Sequence, residues 1–569
     1  MKAAETATAA AGGRPVFSIA CGSGAGPGAS VETMGFKAFN LWRMSRVGLR
    51  VPPAFVLGTG FCGEYLAAGS RPPQDLRALL GHHVRQLEGA LPGLRLGSPR
   101  KPLLVSVRSG APVSMPGMME TVLDVGASDT TVRGMMRLTG NPRLAWDSYR
   151  RLVQSYAEVV HHCPAAPFDQ ALARALARDG LHSARDLDFR SLQGLVRESL
   201  GLFSELTGES FPQDPVDQLE GAIAGVWDSW SAPKAVAYRA MNRLSDTMGT
   251  AVTVQTMVFG NAGGTSGAGV GFSRDPSTGE NALYLDFLFN AQGEDIVSGR
   301  SRSTDTSRLA ETLPDTHAEV AQVARTLERE FGDMQEFEFT IQDARLYLLQ
   351  TRAGKRTPWA ALHILVEQAD EGLITATAAL ERAGALDLAG IGRRRLVPAP
   401  GARLLCRGEP AGAGAASGEI VFDPQRACEA AAAGRSVILV RESTATEDIL
   451  GIAAAGGLLT AAGGRTSHAA VVARQLDKAC VVGCASLSVD AAARRCVIAG
   501  ETFREGDVLA LDGASGEVVA GAAEIAFERP ADELQRLEEL RRRAGAAAGA
   551  SSADSHAPVR ARQVSRRAS

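Results

Sequence analysis

"EFEFTIQDARLYLLQTR" occupies residues 336–352. It divides into EFEFTI (336–341), a turn at QDA, and RLYLLQTR (345–352). Successive side chains of a strand point to opposite faces. Phe337, Phe339 and Ile341 therefore share one face, and Glu336, Glu338 and Thr340 share the other. On the return strand Gln350 and Arg352 lie on a common face. The pattern is that of a β-hairpin with an apolar side. Glu338 and Gln350 stand 12 positions apart across the turn, so both can face the same way. A carboxylate and an amide oxygen are hard ligands, suited to a Mg²⁺ ion that bridges nucleotide phosphates. Glu336 adds charge beside them, and Arg352 is placed to hold a terminal phosphate. The plainer reading is a half-exposed hairpin whose polar residues meet water, and this stretch alone leaves both open.

The rest of the chain mixes helices and strands. Residues 32–49 read as an amphipathic helix stopped by Pro52 and Pro53. PLLVSVRSG (102–110) reads as a strand, and residues 142–232 as helices broken by the FPQDP turn at 211–215. GTAVTVQTMVFG (249–260) is a further strand and residues 315–331 a further helix. GNAGGTSGAGVGF (260–272) does not fit GxxxxGK[ST], and its glycine pairs do not open a helix, so it is a weak match to a phosphate loop. Residues 358–384 form a helix leading into LAGIGRRRLVPAPG, a candidate hinge. Residues 401–525 alternate short strands with small-residue helices, an α/β unit. A charged helix after residue 530 runs into a low-complexity, basic tail expected to be disordered.

Composition narrows the function classes. At 569 residues and about 150 residues per domain, about three to four domains are expected. A net charge of −3 with 22% charged residues argues against bulk binding to nucleic acid or membrane. No apolar run approaches the ~20 residues of a membrane helix. Residues 1–13 lack a secretory apolar block and a transit peptide's arginines, so a cytoplasmic protein is expected. The eight cysteines are scattered without a CxxC pair, which favours reduced structural thiols over a zinc site.

GGRTSHAAVVAR (463–474) places His468 after two glycines, an arginine and two hydroxyl residues, at the head of an apolar run. A helix starting near Ser467 directs free N–H groups toward any phosphoryl group there. Thr466 and Ser467 offer hydroxyl donors, and a neutral imidazole is a competent nucleophile. An incidental histidine on a capped helix is the plain alternative. Lys37, in a helix, and Arg108, near a strand end, each read alone as surface cations. Glu294 and Asp295 in NAQGEDIVSG (290–299) read as a turn or as carboxylates facing ribose hydroxyls.

Together these segments strongly resemble pyruvate phosphate dikinase, and more distantly phosphoenolpyruvate synthase. The resemblance runs in order through MSRVGLRVPPAF, LLVSVRSGAPVSMPGMMETVL, NPRLAWDSYRR, GESFPQDPVDQL, GTAVTVQTMVFGN, SRDPSTGE, NAQGEDIVSG, EFEFTI, YLLQTRAGKRT and GGRTSHAAVVAR. It implies an α/β and α+β multidomain protein. An ATP-grasp nucleotide domain with helical insertions would span 16–355, after a disordered 1–15. A linker would span 356–400 and a swivelling phosphohistidine domain 401–525, followed by a helix and disordered tail at 526–569. It further implies that His468 carries phosphate, that Lys37, Arg108 and Arg352 bind phosphates, and that Glu338 and Gln350 hold Mg²⁺ with Glu336 in support. Glu294, and Asp295 beside it, would contact the nucleotide. Thr466 matches a position phosphorylated in plant relatives, and Arg465 replaces a usual methionine. The lysine segment TMGFKAFNL stands where the family has GGKGANL.

The implied reaction is ATP-dependent phosphorylation of His468 with release of AMP. Family members continue into a barrel that binds pyruvate and phosphoenolpyruvate and needs roughly 250 residues. That barrel is not expected in the stretch after residue 525. The expected partners are therefore ATP, inorganic phosphate, a separate protein carrying the acceptor domain, and a second copy of the chain as a homodimer. Nucleic acid and membrane are not expected. The alternatives are a phosphotransferase for a different small-molecule or protein acceptor, and a non-catalytic nucleotide-binding regulatory subunit.

Overall fold

The structure is a computed structural model that describes residues 14–19, 28–113, 115, 118–293, 295, 306–397, 402–412, 414–444, 448–464 and 467–554. Glu294, Arg465, Thr466, residues 1–13 and the 555–569 tail lie outside them. The architecture is mixed α/β in several units. Two antiparallel sheets build the first half. One runs Val16–Ile19, Ala54–Leu57, Ala251–Thr256, Val105–Gly110, Thr121–Val125 in spatial order. The other runs Arg345–Ala353, Gln335–Gln342, Gly267–Phe272, Tyr284–Phe289. The glycine-rich 267–272 stretch is thus an interior strand. Its Gly269 and Gly271 leave room for the rings of Phe339 and Phe337 across the ladder.

The hairpin forms as its alternation dictates. Phe337, Phe339 and Ile341 are buried in a core shared with Ala38, Leu41 and Met44 of the helix Phe36–Arg46 and with Leu327 of the helix Pro314–Phe331. The turn is tighter than expected: Asp343 and Ala344 alone make it, at φ 49° and 60°, the left-handed pair of a two-residue hairpin loop. The 32–49 helix is also revised. It breaks at Gly35 into Val31–Met34 and Phe36–Arg46. Gly35 has φ 74°, and the Phe36 N–H donates to the Ala111 carbonyl at 2.9 Å. The break turns the Lys37 helix against the strand that carries Arg108. Asn40 Nδ2 then donates to the Thr351 carbonyl at 3.0 Å, which fixes the same helix to the hairpin. Helices Pro142–Val160 and Pro215–Asp228 cover the first sheet, and Phe189–Thr207 packs on the former.

The second half holds an eight-stranded sheet. Its order is Arg403–Arg407, Glu517–Ala520, Val508–Asp512, Ala415–Val421, Val437–Arg441, Gly457–Thr460, Ala479–Val482, Glu409–Pro410. The 415–421, 437–441, 457–460 and 479–482 strands are parallel. Parallel neighbours need crossover connections, which the helices Pro424–Ala432, Ile449–Ala454 and His468–Gln475 supply. With both faces covered, residues 437–440 are buried without alternation.

Residues 356–400, expected as a linker, hold the helices Pro358–Asp370 and Ala376–Ala383 and the strand Arg393–Val397. Leu362, Val366, Ala379 and Ala383 form their own core with Leu537 and Leu540 of the helix Ala531–Asp554, because both segments carry an apolar stripe at helical spacing. That last helix extends through the alanine-rich stretch expected to be disordered, as alanine's helix propensity allows. Arg393–Val397 pairs antiparallel with Glu524–Glu528. The chain entering the second half is thereby zipped to the chain leaving it. Arg14, inside the expected disordered segment, is pinned by Glu64 and Asp75 at 2.8 and 2.9 Å.

A Cβ at Gly35 would overlap the Gly110 carbonyl oxygen, and φ there is left-handed. Gly35→Ala should cost at least about 2 kcal/mol in urea unfolding. Gly63→Ala, in a helix with open space beside it, should be neutral or slightly stabilising by the same measurement.

Candidate active site

Between the two antiparallel sheets lies a cleft of about 470 Å³, lined among others by Arg108, Gln255, Met257, Gln292, Glu338 and Thr340. Arg108 enters from the 105–110 strand and Glu338 from the hairpin, and their charged groups are 3.7 Å apart. Arg108 Nη1 also donates to the Leu349 carbonyl at 3.4 Å. Leu349 is the extra residue of a bulge, where pairing slips between Glu338 and Phe339. A bulge bends its strand and re-aims neighbouring groups. Just before the slip, Glu338 faces Gln350 and Glu336 faces Arg352 directly across the ladder. Arg352 Nη2 donates to Glu336 Oε1 at 2.5 Å.

Lys37 completes the group. Burial, then the neighbouring Arg108, bring its ammonium down to about 8, with Glu338 opposing and Arg352 adding to the fall. Lys37, Arg108, Glu336, Glu338, Gln350 and Arg352 are thus brought together. Among the described residues no cluster of three or more His, Cys, Asp and Glu side chains forms a metal cage. Glu338 and Gln350 are a two-oxygen donor pair that fits an ion whose remaining ligands come from water and phosphate.

Asp295 is placed differently from the expectation. Its carboxylate accepts from Arg151 Nη2 at 3.1 Å and from the Gln292 N–H at 3.0 Å, so it anchors the loop. Arg151 is held in turn by Asp147 at 3.0 Å. Burial would raise the Asp147 carboxyl, but Arg151 and Arg150 outweigh it and bring it to about 2. Gln292 itself is buried, its amide has no hydrogen-bond partner among the described residues, and it lines the cleft. Gln255 also lines it, with Nε2 donating to the Pro52 carbonyl at 3.1 Å. Sequence reasoning passed over both. The signal was an uncharged amide inside an otherwise apolar strand, VTVQTM, and one position inside the NAQGED loop.

His468 opens the helix His468–Gln475 behind Ser467, whose extended backbone (φ −60°, ψ 160°) is that of an N-cap. Ser467 makes no side-chain cap bond, and its buried Oγ has no partner among the described residues. The backbone of His468 is described and its side chain is not. Thr466 and Glu294 fall outside the described residues.

The loop before His468 rests on the other half of the protein. Gly464 lies so close to Asp286 that an added Cβ would sit 2.5 Å from its carboxylate. Tyr284 Oη donates to the Pro410 carbonyl at 3.4 Å, and the Arg474 guanidinium stacks over Phe272 at 5.7 Å. Phe272 pairs with Tyr284 and with Glu336, and Val270 pairs with Asp286 and with Glu338. Directly paired residues share a sheet face. The His468 unit therefore sits on the face that presents Glu336 and Glu338. Asp286 is two strand spacings, roughly 10 Å, from Glu338.

Comparison with known proteins agrees with this division. Residues 70–314 match the family model of the pyruvate phosphate dikinase AMP/ATP-binding domain, and residues 434–516 that of the mobile domain of PEP-utilising enzymes. The chain is 43% identical over 507 residues to a pyruvate, phosphate dikinase of Clostridium symbiosum, covering 89% of this chain and 58% of that one. It is 43% identical over 508 residues to pyruvate, phosphate dikinase 2 of Zea mays, covering 89% and 57%. With the enzyme of Rhizobium meliloti (strain 1021) it shares 42% over 518 residues, covering 89% and 58%. The chain thus spans less than two thirds of the length of these relatives. Among the described residues no helix is long and apolar enough to cross a membrane.

Lys37 titrates near 8 in the folded chain and at 10.5 when unperturbed. Between those values the unfolded chain holds the proton that the folded chain has released, so stability rises with pH across that window. Below pH 8 the buried charge carries its full cost. Lys37→Met should therefore stabilise the nucleotide-free chain at pH 7 by about 1–3 kcal/mol. The gain should shrink as pH approaches 10, read from urea unfolding curves of both chains at matched pH. An unchanged difference from pH 7 to pH 10 would mean that Lys37 is not charged at a cost.

Proposed function

We propose that this chain, similar in these two domains to pyruvate phosphate dikinases, transfers a phosphoryl group from ATP to His468 in an ATP-grasp cleft. The single observation that carries the reading is the seating of the His468 loop on Asp286, on the sheet face that presents Glu336 and Glu338. ATP lies in the cleft with its phosphates toward Lys37, Arg108 and Arg352. A polyanion there offsets what burial and the two neighbouring guanidiniums make costly in the Lys37 charge. Gln292 meets the nucleoside end. Glu338 and Gln350 would hold Mg²⁺, which supplies charge neutralisation to the phosphates when bound.

The His468 imidazole attacks the β-phosphorus and the bond to the α-phosphate oxygen breaks, so AMP leaves. The terminal phosphoryl group then passes to inorganic phosphate, and pyrophosphate departs. One phosphoryl group remains on the ring, held at the N-terminus of its helix, where Ser467 Oγ is free to donate. The paired strands 393–397 and 524–528 let the loaded unit move as one body. Thr466 adds a second hydroxyl to the phosphate. Delivery to pyruvate requires an acceptor domain outside these two domains.

ATP labelled at the β-phosphorus, given with Mg²⁺ and phosphate, should leave acid-labile label on the chain and release AMP in equal amount. His468→Ala should carry none. Glu338→Ala should label on the order of 100-fold more slowly, as expected for lost charge stabilisation. Label persisting in His468→Ala would overturn the assignment.

A further inference from the structure

Among the described residues the cysteines are free thiols, and two of them meet. Cys406 Sγ lies 3.1 Å from Cys484 Sγ, although 78 positions separate them. The topology brings them together. Arg403–Arg407 forms one edge of the eight-stranded sheet and Glu409–Pro410 the other, yet Gly408 alone separates these strands in sequence. The chain therefore leaves its partner Glu517–Ala520 at Gly408 and joins Ala479–Val482, drawing both edges of the sheet into one seam. An added Cβ at Gly408 would meet Val481 at 2.6 Å and the Val482 carbonyl at 2.9 Å. The Gly408 N–H donates to the Gly516 carbonyl at 2.9 Å. Both sides of the seam are thus held, and Cys406 has little freedom to move away from Cys484.

We propose that Cys406 and Cys484 are a modification site, a dithiol that closes reversibly to a disulfide and staples this seam. Cys406 is half-buried and Cys484 buried, so an oxidant arrives at Cys406. The hydrogen bond from Cys406 holds the Cys484 thiol down at about 6, against burial, with the Ser486 hydroxyl helping. Cys484 is accordingly the thiolate of the pair and Cys406 keeps its proton. A hydroperoxide, the oxidant class, reaches the pair past Cys406, and the Cys484 thiolate attacks its outer oxygen. The O–O bond breaks, the S–O bond forms, and the departing alkoxide takes up the proton Cys484 had released, leaving as the alcohol, or as water from hydrogen peroxide. The Cys406 thiol then attacks the sulfenic sulfur of Cys484: the S–S bond forms, the S–O bond breaks, and the departing hydroxide leaves as water with the Cys406 proton. Two thiols and one peroxide thus give one disulfide, one alcohol and one water, with two electrons passing from sulfur to the O–O bond.

The staple touches the loop before His468. Cys484 N–H donates to the Thr460 carbonyl at 3.0 Å, where the 457–460 strand enters that loop. Gly483 packs under it, an added Cβ lying 2.7 Å from the Gly463 carbonyl. On the reading that His468 accepts phosphate from ATP, closing the disulfide stiffens this support and slows labelling.

The test treats the full chain with one equivalent of hydrogen peroxide and then alkylates it. Before alkylation the intact mass should fall by about 2 Da, the two hydrogens lost in disulfide formation, and after it the oxidised chain should carry two fewer alkyl groups than the reduced one. A non-reducing peptide map should join Cys406 to Cys484, and dithiothreitol should reverse both changes. Thermal unfolding of the oxidised chain should move up by about 5 °C. Cys406→Ser, at the half-buried and more tolerant position, should abolish the cross-link and the shift. Its folding is checked by circular dichroism, and Cys484→Ser serves as the second variant. A sulfinic acid on either sulfur, a cross-link to another cysteine, or two alkylated thiols after peroxide would each overturn the site. The oxidised chain should take up label at least about twofold more slowly than the reduced one, and Cys406→Ser should be indifferent to peroxide. Equal labelling of oxidised and reduced chain would overturn the coupling. No label in the reduced chain would fail the histidine assignment while leaving the mapped disulfide intact.

Discussion

The burial of Lys37 beside Arg108 and Arg352 is the constraint around which the first half of the protein is arranged. Three cations converge on one cleft, opposed by Glu336 and Glu338. The fold forces them together by rigid means. Gly35 turns the Lys37 helix, Asn40 ties it to the hairpin, and a bulge sets the hairpin's polar face. The resulting site is costly when empty and favourable to a polyanion, which is the electrostatic form of preorganisation. The sheet that supplies the carboxylates also supplies the face on which the His468 loop rests, so the charged cluster and that loop share one surface.

The connection between the halves is more ordered than a flexible tether. Arg274 is fully buried and bonded to Glu328 at 3.0 Å, to Glu367 at 2.8 Å and to Glu371 at 2.6 Å. The two carboxylates on the 358–370 helix and its C-terminal end are thereby locked to the nucleotide half. A buried guanidinium needs such partners, since losing one leaves charge uncompensated. The 358–383 helices thus belong mechanically to the first half. The chain then crosses to the second half through the paired strands 393–397 and 524–528, whose side chains are largely exposed.

Much of the site was legible because it lies on regular structure. Alternation places Glu336, Glu338, Gln350 and Arg352 on one face of a hairpin, and the ladder pairs them as that period requires. Gln255 and Gln292 were not legible, because an amide in an apolar strand and one in a loop carry no period of their own. Asp295 carries no period either. Whether a loop carboxylate faces ligand or a neighbouring cation depends on Arg151, which lies 144 positions away. Residues 358–384 were legible as helix and the stretch after them by its Gly, Arg and Pro content, but the partner of the helical apolar stripe, the C-terminal helix, was not.

Local sequence by itself determined the hairpin, the parallel α/β unit, the helix that His468 opens and the residue types suited to phosphate. These follow from periodicity and turn chemistry, which act over a few residues. Tertiary structure alone decided that Lys37 meets Arg108, that Asp286 receives the His468 loop, and that Cys406 meets Cys484. Each of those depends on two segments far apart in the chain sharing one sheet face or one seam. Packing sets that distance, and no short stretch of sequence encodes it.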